Sequence, residues 1–96
     1  MLELGMQLFF KLCSDHLAVE AIPRGRVRID LVKAKGCLDP KYCIAMWTPH
    51  FLVLKALSGE EITLRTDGRM IVRNAGSEEE AQAAATMVMT LLSDLL

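Results

Sequence analysis

The stretch from Gly59 to Leu96, GEEITLRTDGRMIVRNAGSEEEAQAAATMVMTLLSDLL, decides the fold, because every local signal in it points to the same structure. It reads as a β-hairpin that runs through Asn74-Ala75-Gly76 into a capped amphipathic helix. A two-residue loop at Asp67-Gly68 would set Ile62 opposite Arg73 and Arg65 opposite Met70, mixing apolar and charged side chains on both faces. A three-residue loop of Thr66, Asp67 and Gly68, with Gly68 in the left-handed conformation of a G1 bulge, instead pairs Leu64 with Met70 and Ile62 with Val72. One face is then wholly apolar. The other carries Thr63, Arg65, Arg69, Ile71 and Arg73, with Arg65 directly across from Arg69, where like charges repel. Such a face is either solvated or turned toward an anion.

The closing helix has an equally specific start. Ser77 accepts from the amide three residues on while Glu80 reaches back, the S-x-x-E capping box, and Glu78 and Glu79 add negative charge at the positive end of the helix dipole. Ala81, Ala84, Val88, Leu91 or Leu92, and Leu95 then recur at the spacing of a buried stripe. The small alanines of the first turns permit close approach to the apolar face of the hairpin.

The run from His50 to Ala85, HFLVLKALSGEEITLRTDGRMIVRNAGSEEEAQAAA, resembles the second part of one repeat of the TATA-box-binding protein family. There a strand, a turn, a hairpin with a Ser-Gly-Lys-Met-like tip and a Gly-Ala-Lys-Ser-Glu-Glu helix start follow in this order. The matching residues are Gly68, Arg69, Met70, Ala75, Ser77, Glu78 and Glu79, mostly turn and cap residues, so the resemblance implies a shared fold more than a shared function. Arg65 stands where that family carries an intercalating phenylalanine, and an arginine is no apolar wedge between base pairs. Ile71 and Arg73 replace small groove-contacting residues. The family has two repeats and this chain one, so the resemblance implies a dimer that restores the twofold surface.

Ninety-six residues make one domain, 1–96, with a single core. Hydrophobic residues form 52% of the chain and aromatics 5%, so the core is aliphatic and rich in alanine and methionine. The longest uncharged runs, Tyr42 to Leu54 and Ala81 to Ser93, are too short to span a bilayer. No basic leader precedes the N-terminal apolar run, which contains Glu3, and a cytoplasmic location is expected. The net charge of −1 hides a segregation. From Arg24 to Arg73 ten basic residues face Asp30, Asp39, Glu60, Glu61 and Asp67, whereas the flanks hold Lys11 against seven carboxylates. The sheet region is basic and the helices acidic.

Upstream of the hairpin, apolar residues at 2, 6, 9, 10, 13 and 17 predict a helix within Met1 to Val19, weakened at Gly5. Ile22-Pro23-Arg24-Gly25 is a turn by composition. Val27, Ile29 and Leu31 then alternate with Arg26, Arg28 and Asp30, the pattern of a half-buried strand that places Arg24, Arg26 and Arg28 on one face. Leu38-Asp39-Pro40-Lys41 is either a turn into a strand from Tyr42 to Trp47 or, with Asp39 as cap and Pro40 at the first position, the start of a helix. Thr48-Pro49 poses the same choice for His50 to Leu57, where the family resemblance favours a strand. The fold class is α+β: an antiparallel sheet of three to five strands, with an N-terminal helix and a long C-terminal helix packed on one face, like half of a TATA-box-binding protein.

The reactive groups are Cys13, His16, Cys37, Cys43 and His50. Four of them would make a tetrahedral zinc site, although Cys37-x5-Cys43 falls outside the tight knuckle spacing, and three core or near-surface thiols suit the pattern better. The odd cysteine count argues against a secreted disulfide framework. No nucleophile elbow, glycine-rich phosphate loop or pair of carboxylates at a strand end is present, so no enzyme is read from the chain. Two functions remain. One is a non-catalytic binding or assembly module that dimerises and presents Arg24, Arg26, Arg28, Arg65, Arg69, Ile71 and Arg73 to nucleic acid or an acidic protein, with no cofactor. The other is a metal- or redox-linked accessory domain that uses Cys37 and Cys43 with Cys13 or His50, holding zinc or an iron–sulfur cluster.

Overall fold

In the computed structural model, which describes residues 8–12 and 18–93, a six-stranded antiparallel sheet carries two helices. The strands are β1 (Leu8–Leu12), β2 (Ala18–Pro23), β3 (Cys43–Trp47), β4 (Phe51–Lys55), β5 (Glu61–Arg65) and β6 (Met70–Arg73). Helix α1 (Leu31–Leu38) lies between β2 and β3, and α2 (Glu78–Leu91) follows β6. Across the sheet the order is β1-β2-β6-β5-β4-β3.

The β5–β6 hairpin takes the register that buries one face. Leu64 lies opposite Met70 and Ile62 opposite Val72. Its turn is closed by the Arg65 amide donating to the Arg69 carbonyl at 2.9 Å and the Gly68 amide donating to the Arg65 carbonyl at 3.0 Å. Gly68 has φ +87°, the left-handed conformation that a side chain opposes. After β6, Asn74 also takes a positive φ of 64°, which asparagine tolerates better than most residues, and the chain turns into α2.

Ser77 is the N-cap of α2 and its Oγ accepts from the Glu80 amide at 3.1 Å. The Glu80 carboxylate reaches back to the Gly76 amide at 3.0 Å, one residue earlier than a standard capping box. Ala81, Ala85, Val88, Met89 and Leu92 are buried, while Ala84 and Leu91 are half-buried at the margin of the stripe. Leu95 lies outside the described residues.

Three expectations are corrected. The sheet has six strands rather than three to five. The described part of the expected N-terminal helix is strand: Leu8–Leu12 pairs with β2, and Val19 enters β2 opposite Val72. A five-residue LFFKL segment satisfies a period of two as well as a period of three and a half, and pairing with a distant strand outweighs local helix propensity. The expected strand at Val27–Leu31 is an extended segment outside the sheet, ending in α1. Its alternation holds, with Ile29 and Leu31 buried and Arg26, Arg28 and Asp30 exposed. Asp30 diverts it into helix by accepting from the Val32 and Lys33 amides at 3.0 and 3.3 Å.

The open choices resolve toward strands. Thr48 Oγ1 accepts from the amides of His50 and Phe51 at 3.1 and 3.0 Å, which caps the β3–β4 turn rather than a helix. A register shift between Ile44 and Met46 interrupts β3, one of the two edge strands among the described residues. Leu31, Ala34 and Leu38 of α1 and the buried stripe of α2 join Leu52, Leu54, Ile62, Leu64, Met70 and Val72 in one cluster, so both helices cover the same face of the sheet. No helix among the described residues is long and apolar enough to cross a membrane.

Candidate polyanion-binding face

The face turned away from the helices is built by the residues that alternate with the core positions. One row runs directly across all six strands: Lys11, Glu20, Ile71, Thr63, Val53 and Met46. Toward the β5–β6 turn a parallel row brings Phe9 opposite Ile22 and Arg65 opposite Phe51, with Arg69 between them beside Arg65. Toward the other end Arg73 lies opposite Glu61, and Lys55 links Glu61 to Cys43.

Arg24, Arg26 and Arg28 join the turn end because the segment that carries them is fastened to the hairpin. The Ile29 amide donates to the Thr66 carbonyl at 2.8 Å. Gly68 sits so close to Pro23 and Val27 that an added Cβ would meet their side chains at 3.0 and 3.2 Å. A hollow of about 470 Å³ results, lined by Gly25, Arg26, Arg28, Asp67 and Arg69 around Ile22 and Pro23. Arg24 lies beside it with its guanidinium carbon 4.3 Å from the centre of the Phe9 ring, a cation–π contact.

Five arginines thus meet at one end of the sheet. The like-charge repulsion expected between Arg65 and Arg69 is relieved locally: Arg65 pairs with Asp67 at 2.9 Å and Arg69 with Glu20 at 3.5 Å. Both ion pairs are substantially exposed, where water screens them and a phosphate can compete for the guanidinium. Arg73 does not join this cluster. It stands four residues along β6 from Arg69, about 13 Å away at the rise of a strand, and its cross-strand neighbour is Glu61. Ile71 lies between the two ends on the same face.

Phe9 and Phe51 are site residues that reading the sequence alone leaves out. Phe9 is 50% exposed and Phe51 half-buried. Their signal is the alternation within Leu8–Leu12, which the expected helix concealed, and within Phe51–Lys55, where the favoured strand holds.

The cysteines and histidines are dispersed. Cys13 and His16 lie outside the described residues. Cys43 lies opposite Lys55 on the open side of β3, whereas Cys37 is exposed on α1 beneath the other side. His50 is in the turn at the far end of the β3–β4 hairpin from Cys43. Among the described residues no three histidine, cysteine, aspartate or glutamate side chains are grouped to hold a metal ion. At the end of the sheet opposite the arginines, burial raises the Tyr42 phenol above its ordinary value and the Glu60 carboxylate adds to the effect. A hollow there is lined by Ala56, Ile62, Ala83, Ala84 and Met87 together with Tyr42, Ser58, Glu60 and Glu80, and the exposed Ser58 hydroxyl donates to the Glu60 carboxylate.

Set beside protein-family models, curated proteins and solved structures, the chain finds no match in any of the three comparisons.

Proposed function

We propose that the chain is a small non-catalytic binding module that holds nucleic acid against the arginine end of its open sheet face. The observation that carries this reading is the convergence of two segments far apart in sequence, 24–28 and 65–69, held together by the Ile29–Thr66 bond and the seat of Gly68. A net charge of −1 gives the whole molecule no attraction for polyanions. Concentrating five arginines at one end creates a local positive field.

The module acts as a twofold dimer in this reading. Both edges of the sheet support it: Leu12 on β1 is 45% exposed, and Met46 and Trp47 on β3 are 52% and 44% exposed. The reading also draws on the resemblance of residues 50–85 to one repeat of the TATA-box-binding protein family, carried by Gly68, Arg69, Met70, Ala75, Ser77, Glu78 and Glu79.

The test is a titration of labelled oligonucleotides, single-stranded and duplex, at increasing salt. Binding should weaken steeply, with log K falling linearly in log salt. Replacing Arg65 and Arg69 by Ser should weaken binding and flatten that slope while leaving the unfolding midpoint near that of the parent, since exposed ion pairs contribute little to stability. Absence of salt-sensitive binding to either form at low ionic strength would remove the nucleic-acid reading. A monomer mass by light scattering at high concentration would remove the dimer.

A further inference from the structure

The row nearest the β5–β6 turn alternates ring, aliphatic and guanidinium groups. In strand order it runs Phe9, Ile22, Arg69, Arg65, Phe51. Neighbouring strands lie about 4.8 Å apart, so the two phenylalanines stand roughly 19 Å from each other with both arginines between them. A purely solvated face would leave these positions polar. A duplex gives no reason for them either, because its bases are sealed in their own stack and its phosphates need only the arginines.

We infer that the nucleic acid held here is single-stranded, with bases stacked on Phe9 and Phe51 and the connecting phosphates on Arg65, Arg69 and the 24–28 arginines. This rests on the nucleic-acid reading above and names its substrate class. Base–aromatic stacking tolerates any sequence, because every base has a π face. The Arg24 guanidinium covers one face of the Phe9 ring, and Phe9 remains 50% exposed. An arriving base replaces the guanidinium on Phe9 or stacks on its plane, and in either case Arg24 is left beside a phosphate. Ile22, Ile71 and Val53 supply apolar floor between and below the two rings.

The experiment measures anisotropy of labelled oligodeoxythymidine, oligouridine and a duplex of equal length on the intact chain and on the Phe9→Leu and Phe51→Leu variants. Leucine keeps the apolar volume that a half-buried strand position needs and removes only the ring, and thermal melting of each variant checks that it folds. The expected result is tighter binding of the single strands than of the duplex, with each leucine variant losing about tenfold for single strands and nothing for the duplex, as stacking energies per base imply. Single-strand binding no tighter than duplex binding, or unchanged by both leucine variants, would overturn this inference while leaving the arginine-based reading standing. Failure of every oligonucleotide to bind at low salt would instead overturn that reading, and this one with it.

Discussion

The two faces of the sheet are made by the same strands and obey different rules. On the helix-covered face, Leu52, Leu54, Ile62, Leu64, Met70 and Val72 are all aliphatic and almost fully excluded from water. One residue along each strand, the open face carries Phe51, Val53, Glu61, Thr63, Arg65, Ile71 and Arg73. Exclusion of water explains the first set completely, because any aliphatic side chain of suitable volume would do. The second set mixes rings, branched aliphatics and arginines in a spatial order, and in the proposed reading the apolar residues on this face, which no described helix covers, meet a ligand.

The largest expected effect tests the covered face. Leu64→Ala should destabilise the fold by about 2–5 kcal/mol, through lost transfer energy and the cavity left behind, whereas Ile71→Ala should stay within about 0.5 kcal/mol. Comparable denaturation shifts for both would break the distinction between the faces. Gly68→Ala comes next, because it strains a positive φ and presses on Pro23 and Val27 at once. It should lower stability by more than about 1 kcal/mol and weaken anion binding as well, since the two arginine segments are forced apart. Loss of stability with full binding would show that the arginines do not act together. The smallest effect sharpens the comparison from the helix side: Ser77→Ala removes the acceptor for the Glu80 amide and should cost about 1 kcal/mol while leaving oligonucleotide affinity unchanged. A change in affinity without a change in melting would mean that α2 communicates with the open face.

The hairpin and α2 are legible in the sequence because their instructions are local. Gly68 sets the turn, the turn sets the register, and Ser77 with Glu80 starts the helix within four residues. The N-terminal half answers to partners far away. Whether Leu8–Leu12 and Ala18–Pro23 are helix or strand depends on β6, some fifty residues later, which offers Val72 to Val19 and Met70 to Ala21. The arginines of the candidate site were all nameable from alternation and turn geometry, and Arg73 was grouped with them because strand periodicity reports the face of a residue and not its distance along the strand. Phe9 was hidden by the same error that made β1 a helix, whereas Phe51 sat in a segment already favoured as a strand and lacked only its cross-strand partner, Arg65.

The bond from Ile29 to Thr66 and the close seat of Gly68 fasten one arginine segment to the other. Their consequence is thermodynamic preorganisation. Charges gathered from two flexible loops would have to be ordered by the ligand at the moment of contact, and much of the attraction would be spent against lost chain entropy. Here the backbone positions of both arginine sets are settled during folding, leaving only side-chain torsions to be fixed on association. A surface of that kind favours rapid capture and a steep dependence on salt, with little change in backbone structure between the free and the bound protein.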